Sequence, residues 1–137
     1  MTPENEAKKQ YLLRYRQAER EVQLLMEEKE RLLALATKVT PSLSGETHGS
    51  GSGDRVGAAV DKIVQCEEEI NEAIDAAVDV RQEVMKKILT IPDQTLRQVL
   101  RRYYLLGMTW EEVAVHMHYS YMHVCRLHGQ ALAQMRL

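Results

Sequence analysis

Phenylalanine is absent from this chain and tryptophan occurs once. A core built on large aromatic rings is therefore excluded, and the expected core is aliphatic with tyrosines at its edges. The two cysteines, Cys66 and Cys125, lie far apart and form no CxxC pair. That rules out a disulfide framework and fits a reducing cytoplasm. No apolar run approaches the length a membrane span needs. The opening Met-Thr-Pro-Glu-Asn-Glu is polar and acidic, unlike a signal peptide. A cytoplasmic protein without a membrane partner is expected. Glycine and proline are scarce outside one stretch, and 28% of residues are charged, a balance that favours an all-α fold.

What is present is helical periodicity. Over residues 4–39, Tyr11, Tyr15, Ala18, Val22, Leu25, Lys29, Leu32, Ala36 and Val39 alternate in steps of four and three, a heptad seam with Lys29 as its polar interruption. Thr40-Pro41 is expected to end this helix. Four of the seven glycines then fall between Ser42 and Gly53, and residues 41–54 read as a flexible Gly/Ser loop. It lacks the Lys-Ser/Thr ending and the preceding strand of a phosphate-binding loop. Asp54 is placed as the cap of a second helix reaching Leu89. Its seam is Val56, Val60, Ile63, Glu67, Ile70, Ile74, Ala77, Arg81, Val84, Ile88 and Ile91. Two such helices joined by a short loop predict an antiparallel coiled-coil hairpin over residues 1–91. Setting Val39 near Val56 puts Lys29 opposite Glu67 as an ion pair, and Tyr15 opposite Arg81 as a cation–π or stem-packing contact.

Residues 92–137 form the second part. Pro92-Asp93 starts a helix with Leu96, Val99, Leu100, Tyr103 and Leu106 on its apolar side and Gly107 as its stop. Thr109 and Glu112 make a capping box for the next helix, and Ser120 caps the last, whose expected core residues are Val124, Leu127, Ala131, Leu132 and Met135. Two capped amphipathic helices separated by His118-Tyr119 read as a helix-turn-helix, with the recognition helix over about 120–135. Charge is asymmetric. Residues 1–91 carry 13 Lys and Arg against 17 Asp and Glu, whereas 92–137 carry 5 against 3. Only the C-terminal part suits an anionic partner.

The runs Leu-Arg-Gln-Val-Leu and Tyr-Tyr-Leu-Leu-Gly-Met-Thr-Trp-Glu-Glu-Val-Ala, with Ser120, Val124, Ala131-Leu132 and Met135-Arg136, resemble region 4 of the sigma-70 family. The whole chain is similar to small phage and prophage proteins of Gram-positive bacteria, in which a helical hairpin with a Ser/Gly-rich loop precedes a sigma-region-4-like end. Relatives of the ArpU/RinA type are regarded as late-gene transcription regulators. The resemblance implies an all-α protein that binds double-stranded DNA in transcription control, with RNA polymerase contact or homodimerisation through the hairpin. One departure is His118, where the turn glycine usually stands; a left-handed His is tolerated there at some cost.

On that reading Tyr121, Met122 and Arg126 face outward to bases or the adjacent backbone, Arg being the residue whose fork fits guanine. Thr109, Trp110, Ser120 and His123 would contact phosphate, and Arg97, Arg101 and Arg102 would add phosphate contacts. Each also has a plainer reading as a surface residue, and Trp110 as a core-edge residue. Gly129, inside the last helix, either admits a close neighbour or is neutral. His116, His118, His123, Cys125 and His128 have zinc-type side chains but no structural zinc spacing, so no metal is expected. The Glu67-Glu68-Glu69 run lies on a solvated helix and Cys125 has no cleft, so neither a catalytic residue nor a cofactor is expected. The competing class is a protein-interaction module that binds polymerase or another phage protein without DNA, or a DNA-packaging accessory. Arg126 and Arg136 are the only fixed positive charges on the last helix, which favours the interaction module.

Overall fold

The computed structural model describes residues 1–43 and 50–137, with side chains outside 39–54. Among the described residues every regular element is helical: α1 Pro3–Leu43, α2 Ser50–Ile88, α3 Gln94–Leu100, a π-helical turn Arg101–Leu105, α4 Trp110–Met117 and α5 Tyr121–Gln134. The expected all-α architecture is present, with two long helices before the short ones.

Both long helices exceed their expected bounds. α1 continues past Pro41 to Leu43, and α2 begins at Ser50 rather than at Asp54. Pro41 falls in the last turn of α1, where its missing N–H removes one bond near a helix end rather than in its interior. The middle of the expected 41–54 loop, 44–49, lies outside the described residues, as do the side chains of Val39 and Asp54.

The chain forms two compact units, Met1–Glu19 with Ala76–Leu137, and Arg20–Asp75. In the second, Leu25, Cys66 and Ile70 are buried, with Leu32 and Ala73 against them. Lys29 Nζ meets Glu67 Oε1 at 3.1 Å, the ion pair the seam predicts. The α1 seam is as expected up to Ala36, with the fully buried Leu12 beside it, but that of α2 is half shifted. Its less exposed positions are Ala59, Cys66, Ala73 and Val80, each one residue before the expected Val60, Glu67, Ile74 and Arg81. Val60 stays half exposed.

The shift also moves Arg81 off the seam. The expected cation–π contact between Tyr15 and Arg81 is not found among the described residues. Burial and the Glu19 carboxylate, which also hydrogen-bonds it, push the Tyr15 phenol up, and Arg81 opposes them only through its charge.

The unit containing α3, α4 and α5 also takes in both ends of the helical pair. Leu12, Val84, Ile88 and Ile91 are fully buried in one core with Val99, Leu100, Tyr104, Val113, Val124 and Leu132. Arg14 pairs with Glu83 at 2.9 Å. Three short helices bury too little apolar surface alone, and Leu12 contributes from the other end of the chain.

α3 departs from its expected face at the π-helical turn. Leu106 N–H donates to Arg101 O, five residues back, at 3.0 Å. The wider turn brings Tyr104 and Leu105 inward and leaves Leu106 64% exposed. Gly107 then adopts φ 73°, and Met108 N–H reaches Arg102 O at 3.1 Å, the bond that closes a left-handed helix stop.

Candidate nucleic-acid interface

α4 and α5 are each set by a side-chain cap. Glu112 N–H donates to Thr109 Oγ1 at 3.2 Å, and His123 N–H to Ser120 Oγ at 3.1 Å. Between the helices His118 takes φ 59° and ψ 40°, the left-handed conformation foreseen for the turn. Tyr119 N–H bonds Ala114 O at 3.0 Å. The two helix starts differ electrostatically. α4 opens with Glu111 and Glu112, and the Thr109 hydroxyl also donates to the Glu112 carboxylate at 3.2 Å. The first turn of α5 carries no acidic residue, so its free N–H groups and dipole favour an anion.

The faces of α5 divide as expected except at His128, which is buried with the inner residues. Val124, Leu127, Ala131, Leu132 and Met135 are buried, while Tyr121, Met122, Cys125, Arg126 and Gln130 are exposed. A hydrogen bond to Cys125 pushes the Tyr121 phenol up, with the thiol's and then Glu111's charge adding. Arg126 lines an open groove of about 670 Å³ between the outward face of α5 and the start of α1, with Met1, Asn5, Gly129 and Gln130. Asn5 Nδ2 donates to Gly129 O at 3.5 Å. Lys8 Nζ donates to Leu132 O at 2.8 Å, placing a cation on the C-terminal carbonyls of α5. A Cβ at Gly129 would meet nothing within 4 Å, so the glycine does not serve a close approach within the chain.

Trp110 is part of an aromatic stack. Its ring lies 3.7 Å from that of Tyr103 at 5°, and the Arg16 guanidinium sits 4.0 Å over Tyr103. Arg16 Nη2 also donates to Tyr103 O at 2.7 Å and Met108 O at 3.0 Å, fastening α1 to the segment that leads into α4. Below the stack, His128 is buried and bonded to the Tyr104 hydroxyl. Neither Arg16 nor Lys8 carries a sequence signal. His128 does, since it completes the spacing 124, 127, 128, 131, 132, 135 on the inner face.

The other expected residues are dispersed. Arg97 Nη1 donates to Ile91 O at 2.6 Å and Pro92 O at 2.9 Å, holding the start of α3, whereas Arg101 is exposed. His123 is half-buried with its ring 4.8 Å from Tyr119, edge on. Among the described residues no three His, Cys, Asp or Glu side chains gather as a metal site. Nor is any described helix long and apolar enough to cross a membrane.

No curated protein and no solved structure matches the chain. Residues 93–137, from the cap of α3 to the last residue of the chain, match the family described as Sigma-70, region 4, and so pair the observed helix-turn-helix with a DNA-binding domain family.

Proposed function

We propose that this protein is a DNA-binding transcription regulator whose α5 enters the major groove. The observation that carries this is the N-terminal half of α5. It is capped by Ser120, free of acidic residues in its first turn, and exposes Tyr121, Met122 and Arg126. Arg126 reads bases through its bidentate fork, Tyr121 and Met122 touch base edges or sugars, and Ser120 and His123 meet phosphate. Thr109 and Arg101 add phosphate contacts at the flanks, while Trp110 and Arg97, engaged within the chain, act by positioning α4 and α3. Selection of duplexes from a random library tests this. The wild type enriches one sequence, and Arg126→Ala loses that enrichment while still folding. Equal enrichment by both would defeat it.

The long helices serve dimerisation or contact with RNA polymerase on this reading. Supporting a dimer, the unit 20–75 has a small core yet leaves Leu24, Leu33, Leu35, Val60 and Val64 exposed. Paired readers would bind paired half-sites more tightly than one alone. A phage or prophage origin and an ArpU/RinA-type late role belong to the same proposal and rest on the resemblance of the sequence.

A second reading, a protein-interaction module, is favoured by Val115 and Met122. They are 74% and 73% exposed on α4 and α5, apolar surface that DNA phosphates do not need. Polymerase, another phage protein or a packaging complex would be its partner.

A further inference from the structure

Three arginines converge away from α5. Arg81 of α2 and Arg101 and Arg102 of the π-helical turn line one cleft of about 280 Å³ with Gln98, Leu105 and Leu106. Among the described residues no carboxylate lines it. Neither ion pair of the described residues, Arg14–Glu83 or Lys29–Glu67, involves these arginines. Arg102 Nε is buried without a hydrogen-bond partner, a state that folded proteins ordinarily relieve with a water or an ion. The π-helical turn is a second sign. Such turns are rare and frequently mark functional sites. This one carries Arg101 and Arg102 and leaves the Leu106 side chain exposed at the cleft.

The chemistry selects among anions. One carboxylate offsets a single charge, whereas a diphosphate offsets most of three and presents several oxygens to guanidinium forks. The volume exceeds that of a bare ion and lies near the lower end of small-molecule sites, about 300 Å³. Leu105 and Leu106 supply an apolar wall. A duplex backbone follows the outer surface and is too broad to fill a recess of this size. We propose that the cleft binds a small molecule carrying a diphosphate on an apolar or aromatic body. The phosphoryl oxygens would lie on Arg81, Arg101 and Arg102, and the body on Leu105 and Leu106. This goes beyond the DNA-binding reading, with which it shares Arg101 alone, and does not depend on it.

The test is calorimetric titration of the full chain at low salt with pyrophosphate, ADP and succinate. ADP is expected to bind saturably at one site, more tightly than pyrophosphate, and succinate far more weakly. Arg101→Ala, an exposed position, and Arg102→Lys, which keeps the charge but loses the fork, should each weaken ADP by about tenfold or more. Arg31→Ala should leave ADP affinity unchanged, and so should Arg126→Ala, which separates this site from the α5 surface. The proposal is overturned if succinate matches pyrophosphate, if ADP gains nothing over pyrophosphate, or if Arg101→Ala retains full affinity. It also falls if a random duplex binds while neither ADP nor pyrophosphate does.

Discussion

The Tyr104 hydroxyl and His128 Nε2 share a hydrogen bond of 2.7 Å inside the core that joins α3 to α5. Burial, with a smaller push from the Lys9 charge, lowers the His128 pKa to about 4. Burial also raises the Tyr104 phenol, so both partners are neutral at ordinary pH.

That pair predicts an acid-sensitive fold. An unfolded His titrates near 6.5, so below that pH the unfolded chain binds a proton that the folded chain refuses. The His128 contribution is fully present above about pH 6.5, falls as pH drops towards about 4, and is flat below. Roughly 3 kcal/mol is lost across that window. Denaturant unfolding at a series of pH values measures the slope, and His128→Gln should flatten it. A wild-type slope equal to that of the variant would contradict the assignment.

His118 carries a positive φ that a side chain tolerates poorly. His118→Gly should raise stability by about 1 kcal/mol, and a β-branched His118→Val should lower it by more than that. Thermal melts of the three proteins decide, and an unstable glycine variant would mean that the imidazole supports the turn.

Gly129 is helical and its missing Cβ faces open space. Gly129→Ala is therefore expected to stabilise the protein by up to about 1 kcal/mol. A destabilised variant would reveal a neighbour absent from the isolated chain.

Much of this architecture was legible in the sequence, for identifiable reasons. Thr109 and Ser120 cap because their hydroxyls stand three residues before a free N–H, and Gly107 and His118 fall where helices must stop. Hydrophobicity places Val60 and Ile74 on the α2 seam, whereas the structure leaves them exposed and puts Ala59 and Ala73 in the less exposed positions. Tyr104 and Leu106 exchanged faces because a π-helical turn adds a residue that no periodicity records in the run Tyr-Tyr-Leu-Leu. In the candidate site, the outward face of α5 followed from its period. The contacts of Asn5, Lys8 and Arg16 with the segment 103–133 did not, since nothing local encodes a contact across the chain.

Lys29 and Glu67 are partly exposed, at 33% and 50%, so their pairing is worth little. A double-mutant cycle with Lys29→Ala and Glu67→Ala should give a coupling of about 0.2–1 kcal/mol that shrinks at high salt. A coupling that salt does not reduce would place the pair in a drier setting than its exposure indicates.

The most direct measurement of the central claim is a salt titration of binding to a random duplex, with wild type and Arg126→Ala side by side. Groove entry by α5, with phosphate contacts from Arg101 and the α5 N-terminus, predicts binding at low salt that weakens linearly in log affinity against log salt. Arg126→Ala should bind random DNA nearly as well while losing preference for a selected site. Absence of any duplex binding at low salt would contradict the account and leave α4 and α5 as a protein-docking surface.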